Sequence, residues 1–169
     1  MTDHIQALRV EPISKTHLRN EFSCGQPELD TYLQRFARQN DEKNIAKTFV
    51  AVDGSGHVLG YYSLSTASIA FAELPEDLRQ SLPAYPVPAA RLARLAVDTR
   101  MKGQGLGAKL LIDALQRIIG ASQEIAVKVI LVDALDEDAS DFYKHFGFIE
   151  LPDQDLKLFL PIETVKQVF

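Results

Sequence analysis

The fold of this chain is decided by the stretch RLARLAVDTRMKGQGLGA, residues 91–108. Residues 95–97 form an apolar run that is typical of a strand, and from residue 106 to residue 119 apolar side chains recur at helical spacing. Three glycines, at positions 103, 105 and 107, lie between the two patterns. Glycine tolerates positive φ and allows a ligand to approach the backbone closely. The stretch therefore predicts a strand, a glycine-rich turn and a helix in succession.

The predicted turn has the features of an anion site. The backbone N–H groups of residues 103–108 can point at one anion, and the helix N-terminus behind them favours negative charge. The nucleotide P-loop is excluded because Gly107 is followed by Ala108 and Lys109, without the lysine-hydroxyl pair. The glycine spacing also fails the dinucleotide pattern Gly-x-Gly-x-x-Gly. We expect the phosphate or pyrophosphate of a cofactor here, and a glycine-rich connection without a ligand is the alternative.

The same residues carry a family resemblance. Leu95-Ala96-Val97-Asp98, the turn and the following Leu110-Leu111 resemble the acetyl-coenzyme A motif of the GNAT superfamily of N-acetyltransferases. The family pattern begins with arginine or glutamine where this chain has Lys102, which keeps a positive charge but loses bidentate geometry. The resemblance implies acetyl-coenzyme A as co-substrate and the following binding residues: Leu95, Ala96, Val97, Lys102, Gly103, Gln104, Gly105, Leu106, Gly107 and Ala108.

Length and composition favour one globular domain over residues 1–169, because 46% of the 169 residues are hydrophobic and 24% are charged. Cys24 is the only cysteine, which excludes an internal disulfide framework and a cysteine-rich metal site. No apolar run approaches membrane-spanning length, and the acidic start Met1-Thr2-Asp3-His4 is unlike a secretory signal. We expect a cytoplasmic protein without a bound metal or a membrane partner.

The order of the predicted elements favours an α/β fold with a mixed sheet. Strands are predicted at residues 8–13, 48–52, 58–64, 95–97, 126–132 and 156–160, with a hairpin turn at residues 53–56. Helices are predicted from Pro27 to near Asn40, from residue 106 to residue 119, and from an Asp136 cap to Gly147. Residues 73–87 read as a loop with one helical turn, ended by Pro88. The GNAT resemblance implies the same fold, with helices on both faces of a sheet that splays at the acetyl-coenzyme A site.

A catalytic candidate lies in the segment ASDFYKHFGF, residues 139–148. This segment resembles the second GNAT signature, in which a tyrosine stands near the coenzyme sulfur, and the matching residue is Tyr143. A phenol can donate a proton or hydrogen bond as a thiolate leaves. The alternative is a core aromatic residue on a helical face. By the same resemblance, a backbone N–H near Val97 would hydrogen-bond the acetyl oxygen.

The acceptor is predicted from a missing base. Residues 91–97 contain no carboxylate, which many family members use as a base. An α-amino group has a pKa of about 7.7–8.0, against about 10.4 for lysine, so an α-amine needs less help to lose its proton. The absence therefore favours an α-amine acceptor. His57 and His145 are alternative proton carriers, although a lone histidine is more often structural.

Further segments resemble the aminoacyl-tRNA-acetylating GNAT toxins of bacterial toxin-antitoxin pairs: FSCG (22–25), ARQN (37–40), GYYSL (60–64), RLARLAVD (91–98) and LFLP (158–161). The resemblance implies acetylation of the α-amine of aminoacyl-tRNA, a block of translation, and a ribbon-helix-helix antitoxin as partner; it leaves open a homodimer. The net charge of −5 and pI near 5.3 argue against general nucleic-acid binding, so tRNA contact is assigned to local basic residues. These are Arg35, Arg38, Arg91 and Arg94.

Two other functions stay open. One is an acetyltransferase for a small amine or a protein N-terminus, which a closed, acid-lined pocket would favour. The other is a coenzyme A-binding module without catalysis, which a Tyr143 turned away from the sulfur would favour. Basic residues converging on one face would favour the tRNA-directed enzyme.

Overall fold

The computed structural model describes residues 8–169; the predicted absence of a secretory signal in residues 1–4 lies outside them. The strands in this range are β1 (Arg9–Pro12), β2 (Lys47–Val52), β3 (Val58–Ile69), β4 (Val87–Val97), β5 (Val129–Asp133), β6 (Ile149–Glu150) and β7 (Lys157–Pro161). The α-helices are α1 (Pro27–Thr31), α2 (Ala37–Glu42), α3 (Glu76–Arg79), α4 (Leu106–Ala121), α5 (Glu137–His145) and α6 (Ile162–Val168). A π-helical turn, Tyr32–Phe36, joins α1 to α2. Short 3₁₀ turns occur at Phe71–Glu73 and Thr99–Met101.

The described chain forms two compact units. The first unit contains residues 8–65 and 93–115, and the second contains residues 66–92 and 116–169. Strands β3 and β4 and helix α4 each run from one unit into the other.

The first unit is built on antiparallel pairs. β1 pairs with β2 so that Arg9 lies opposite Val52, and β2 pairs with β3 so that Lys47 lies opposite Leu64. The turn between β2 and β3 confirms the predicted hairpin, since Asp53 Oδ1 accepts hydrogen bonds from the backbone N–H groups of Ser55 and His57. Buried apolar side chains from this sheet, the segment before α1 and the π-helical turn form its core: Ile13, Phe22, Cys24, Tyr32, Leu33, Ala37, Val50, Val52, Val58, Tyr61 and Ala96.

A glycine in β3 allows α4 to pack closely in this unit. A Cβ at Gly60 would lie 2.9 Å from Leu110 Cδ1, 3.1 Å from Leu106 Cδ2 and 3.2 Å from the Ala96 carbonyl oxygen. Any larger residue would push these atoms apart. Gly60 thereby fixes the position of the first turns of α4 beside β3 and β4.

The second unit combines parallel and antiparallel strands. β4 pairs in parallel with β5, Ala89 opposite Val129 through Leu92 opposite Val132, whereas β7 pairs antiparallel with both β5 and β6. Its core contains Ile69, Leu74, Val87, Ala89, Val129, Leu131, Leu151 and Phe159. The mixed pairing confirms the predicted α/β fold with a mixed sheet.

Several predicted boundaries were wrong. β4 begins at Val87, so Pro88 lies inside a strand instead of ending a loop; the second position of a strand tolerates the missing N–H. β3 continues five residues beyond Leu64, and β5 begins three residues after Ala126. The single helical turn expected in residues 73–87 is confirmed as α3. β6, α6 and the π-helical turn were not predicted.

Candidate functional site

The glycine turn joins β4 to α4 as predicted, with two glycines in left-handed backbone. Gly103 has φ +78° and Gly105 has φ +85°. Among residues 8–169, apart from the glycine itself and its two chain neighbours, no atom lies within 4 Å of the place that a Cβ on either would occupy. α4 begins at Leu106, and its first backbone bond runs from Lys109 N–H to Gly105 O at 3.1 Å. The N–H groups of residues 106–108 therefore have no partner inside the helix. Gly107 belongs to this first helical turn and not to the loop.

These features fit a phosphate group. Open space over two glycines lets an anion reach the backbone, and the orphan N–H groups and dipole of a 16-residue helix favour negative charge at that point. The residues present thus match the pyrophosphate of a coenzyme A.

The buried carboxylate of Asp98 holds the start of the turn in place. Asp98 is 1% exposed, and its side chain accepts hydrogen bonds from Ser23 N–H at 3.1 Å and Arg100 N–H at 2.9 Å. The Arg100 guanidinium adds two bonds at 2.9 and 3.0 Å. Burial alone would raise the pKa of Asp98, but the hydrogen bonds from Arg100 and Ser23 outweigh it and the pKa lies below its usual value. Asp98 is therefore charged at neutral pH and fixes the start of the turn.

Sequence reasoning gave Asp98 no role of its own. The sequence pattern that could have predicted its role is an aspartate directly after an apolar strand and before a turn. The side chain of an aspartate in that place can accept hydrogen bonds from backbone N–H groups two residues on.

Lys102 connects the turn to the segment that precedes α1. Its Nζ donates a hydrogen bond to Cys24 O at 2.7 Å, while Cys24 N–H donates to Asp30 Oδ1 at 2.8 Å. Lys102 lies at the edge of the turn as predicted, and its hydrogen bond to Cys24 O also holds the turn in place.

The strand residues ahead of the turn divide between core and surface. Ala96 is buried in the core of the first unit, whereas Leu95 and Val97 are half-buried. The hydrogen bond from Asp98 N–H to Leu59 O, 2.9 Å, ties the end of β4 to β3.

A second feature of the first unit is a pair of stacked tyrosines, Tyr32 and Tyr61, with Arg94 over the Tyr32 ring. The Arg94 guanidinium carbon lies 3.6 Å from the centre of the Tyr32 ring, which stacks on Tyr61 at 6.4 Å. The Tyr61 hydroxyl donates to Leu29 O at 2.6 Å, and burial raises the pKa of Tyr61. Beside this tyrosine pair is an open surface pocket of about 480 Å³, lined by Pro27, Glu28, Leu29, Thr31, Tyr32, Phe36 and Arg94. We call it the Tyr32 pocket.

The four predicted tRNA-contacting arginines divide between the units. Arg35, Arg38 and Arg94 belong to the first unit, where Arg35 is exposed and Arg38 forms an ion pair with Glu42 at 3.4 Å. Burial, and then the nearby charge of Arg38, lower the pKa of Arg19, so these two guanidinium groups lie near each other. Arg91 belongs to the second unit, and its guanidinium donates to Asp133 at 2.7 Å. Arg91 therefore already has a carboxylate partner.

Tyr143 lies in the second unit, on α5. Asp136 caps this helix as predicted, accepting from Ala139 N–H at 2.9 Å. The Tyr143 ring is 6% exposed and makes edge-to-face contacts with Phe142 and Phe148, at centroid distances of 5.3 and 5.5 Å. Burial raises the pKa of Tyr143, so the phenol stays protonated at neutral pH. A protonated phenol can act as an acid and not as a base.

The structure places both candidate histidines in local contacts. His57 lies on the β2–β3 turn, with Nδ1 3.6 Å from Asp53 Oδ2, and the exposed His145 packs against Phe146 at the end of α5. Both contacts are local, which is the structural alternative that the sequence offered for these histidines.

Comparison with known proteins gives the family. The profile of the acetyltransferase (GNAT) domain matches residues 44–150, which include the turn and α5. The chain belongs to the GNAT acetyltransferase family. The family match confirms the predicted enzyme class, an acetyl-coenzyme A-dependent N-acetyltransferase.

Two relatives of this GNAT domain are named toxins. The chain is 42% identical over 145 residues to a "tRNA-acetylating toxin" of Mycobacterium tuberculosis, covering 86% of each protein. It is 32% identical to a "probable toxin TacT" of Sinorhizobium fredii, with 94% of this chain and 93% of the relative covered.

Solved structures of similar proteins confirm the GNAT fold. A tyrosine-to-phenylalanine mutant of KacT has a TM-score of 0.93 at 30% identity, covering 97% of this chain and 100% of the other. AtaT complexed with acetyl-methionyl-tRNAfMet has a TM-score of 0.90 at 28% identity, covering 96% and 99%. A mutant AtaT bound to the C-terminus of the antitoxin AtaR and to acetyl-coenzyme A has a TM-score of 0.83 at 27% identity, covering 96% and 98%.

The described residues of this GNAT chain contain neither a candidate metal site nor a helix that could cross a membrane. Across residues 8–169, histidine, cysteine, aspartate and glutamate side chains form no group of three or more that could hold a metal ion. In the same range, the helices are too short or too polar to cross a membrane.

Replacing Asp98 with asparagine in this GNAT domain is expected to lower the free energy of unfolding by about 2 kcal/mol at pH 7, because hydrogen bonds to a charged group are lost. The depressed pKa of Asp98 contributes stability above its unfolded pKa, which is near 3.9, and this contribution is lost as pH falls through the folded pKa. The stability difference between wild type and Asp98→Asn should therefore shrink below pH 4. Urea unfolding from pH 7 to pH 3 measures it, with the exposed Asp155→Asn as control. A difference that is independent of pH would contradict the role of the Asp98 charge.

Proposed function

We propose that this protein transfers the acetyl group of acetyl-coenzyme A to the α-amine of aminoacyl-tRNA and acts as a translation-blocking toxin. The observation that carries the proposal is the 42% identity, over 86% of both proteins, to a tRNA-acetylating toxin. The similarity to AtaT complexed with acetyl-methionyl-tRNAfMet, at a TM-score of 0.90, supports it.

The glycine turn is proposed to hold the co-substrate. Acetyl-coenzyme A supplies an activated acetyl thioester. The N–H groups of residues 103–108 would bind its pyrophosphate, with Lys102 adding a positive charge, and the backbone of residues 95–97 would contact the pantetheine arm. The open approach over Gly103 and Gly105 supports this assignment.

Tyr143 is proposed as the acid that protonates the leaving sulfur. Its raised pKa keeps the proton on the phenol at neutral pH, which is the state that a donor requires. The acceptor needs little help, because an α-amine with a pKa of about 7.7–8.0 is partly neutral at physiological pH. These two properties together allow transfer without a strand carboxylate.

The arginines of the first unit are proposed to hold tRNA. Arg35, Arg38 and Arg94 can bind phosphate or bases locally although the whole chain is acidic, because binding depends on the local field. Arg91, paired with Asp133, is assigned a weaker contribution.

The proposed biological setting follows from the relatives. We assign residues 1–169 to one domain and the protein to the cytoplasm. We propose that its inhibitor is a ribbon-helix-helix antitoxin, and we leave open a homodimer. The complex of AtaT with the C-terminus of AtaR supports an antitoxin partner.

The experiment incubates the protein with labelled acetyl-coenzyme A and either charged or uncharged tRNA at increasing salt. We expect label on charged tRNA alone and a KM that rises with salt, because phosphate contacts release counterions. Arg35→Ala should reduce the slope of log KM against log salt by about one, whereas the exposed Lys15→Ala should not change it. Absence of label on charged tRNA, with efficient transfer to polyamines or peptides, would indicate the small-amine enzyme instead.

A further inference from the structure

The Tyr32 pocket is shaped by the π-helical turn Tyr32–Phe36. The turn inserts extra backbone between α1 and α2, and π-helical segments occur frequently at functional sites. It directs the buried Tyr32 toward the core while leaving Phe36 48% exposed on the pocket wall. A single exposed aromatic residue is ordinary, but this one faces a concave surface that also contains a cation.

Arg94 lies over an aromatic ring in this pocket. Its guanidinium lies 3.6 Å above the centre of the Tyr32 ring, which covers one face of the guanidinium plane. Tyr32 is itself fixed, because its hydroxyl accepts a hydrogen bond from Asn40 Nδ2 at 3.3 Å and its ring stacks on Tyr61. Arg94 also lines the pocket. An arginine plane held in this way is a stacking surface for a second flat group.

The side chains that line the Tyr32 pocket suit a nucleotide base. Phe36 and Arg94 offer two flat surfaces, and unpaired bases stack on aromatic rings and guanidinium planes. Glu28, on the rim, can accept a hydrogen bond from an exocyclic amine such as that of adenine. A volume of about 480 Å³ exceeds what one amino-acid side chain needs and lies in the range of pockets for larger ligands.

We infer that the Tyr32 pocket binds the unpaired 3′-terminal adenosine of the acceptor strand, stacked by Phe36 and Arg94. The inference rests on the proposed function for its biological ligand, and it names the part of the substrate that the first unit recognises. It places recognition on a group that every tRNA shares, so the pocket itself does not select the amino acid.

The first test compares KM and kcat for aminoacyl-tRNA in four variants. Phe36→Leu keeps an apolar side chain but loses the ring, and Arg94→Lys keeps the charge but loses the plane. Each should raise KM roughly ten-fold, since stacking of one base contributes about that much or more, and should leave kcat near wild type. Phe36→Trp keeps an aromatic ring and should leave KM at the wild-type value. Ile45 is apolar, 64% exposed and outside the pocket, so Ile45→Ala should have no effect.

The same KM increase is expected with small and with large amino acids on the tRNA. Acetylation of an amino-acid methyl ester, which has no adenosine, should not change. A loss that is large for bulky apolar amino acids and absent for glycine would overturn the inference and make the pocket a side-chain site. An unchanged KM in Phe36→Leu would also overturn it.

The second test is independent of catalysis. The trinucleotide CCA is titrated into the protein while the ring resonances of Phe36 and Tyr32 are followed by NMR. We expect the Phe36 and Tyr32 resonances to shift in the wild-type protein, and we expect the Tyr32 shift in Phe36→Leu to need roughly ten times more CCA to reach half of its full size. If the wild type fails to acetylate aminoacyl-tRNA but binds CCA here, the proposed function fails and the site stands. If it acetylates aminoacyl-tRNA but CCA does not shift these rings, the site fails and the function stands.

Discussion

Replacing Tyr143 with phenylalanine is expected to reduce the rate of acetyl transfer by at least about 100-fold, because a positioned general acid contributes roughly 10²–10⁴-fold. The ring contacts with Phe142 and Phe148 should remain, so folding and acetyl-coenzyme A affinity should change little. Single-turnover transfer with saturating acetyl-coenzyme A measures the step directly.

The matched control is Tyr85→Phe, which removes a phenol hydroxyl from a residue that is 63% exposed. It should leave the rate unchanged. Because burial raises the pKa of Tyr143, the wild-type rate should not fall between pH 8 and pH 10 through loss of this proton. Near wild-type transfer by Tyr143→Phe would make the residue a core aromatic and remove it from the mechanism.

Replacing Gly105 with valine is expected to weaken acetyl-coenzyme A binding by at least about 100-fold. A β-branched residue is strongly disfavoured at φ +85°, so the turn must rearrange and the N–H groups behind it lose their alignment. Losing one or two hydrogen bonds to a charged group, at about 1.5–3 kcal/mol each, accounts for a change of this size. Calorimetric titration of the folded variant gives the affinity.

Two comparison variants separate the causes. Gly54→Val changes a glycine that also has open space around it but no left-handed φ, so binding should be unchanged. Lys102→Ala should weaken binding less than Gly105→Val, because the backbone N–H groups remain. Unchanged affinity in a folded Gly105→Val protein would contradict the placement of the pyrophosphate.

Local chemistry made the turn predictable from the sequence. Gly103 and Gly105 adopt the left-handed backbone that glycine spacing indicated, and α4 begins where apolar periodicity begins. The Asp136 cap and the β2–β3 hairpin followed from the same kind of short-range signal. Each of these features depends on residues within four positions of one another.

Contacts between distant parts of the chain could not be predicted in this way. The bond from Ser23 N–H to Asp98 spans 75 positions, and the bond from Lys102 to Cys24 O spans 78. The stacking of Arg94 on Tyr32 likewise depends on how β4 packs beside the π-helical turn. Periodicity also gave no sign of that turn, since a π-helical insertion interrupts the 3.6-residue repeat that identifies a helix.

The central claim is that the α-amine of aminoacyl-tRNA is the acceptor. The most direct measurement offers the protein acetyl-coenzyme A together with aminoacyl-tRNA, a polyamine and a peptide, digests the tRNA with nuclease, and determines the masses of all products. We predict that the released aminoacyl-adenosine carries one acetyl group on its α-amine, while the polyamine and peptide remain largely unmodified. Unmodified aminoacyl-adenosine beside an acetylated polyamine or peptide would contradict the claim.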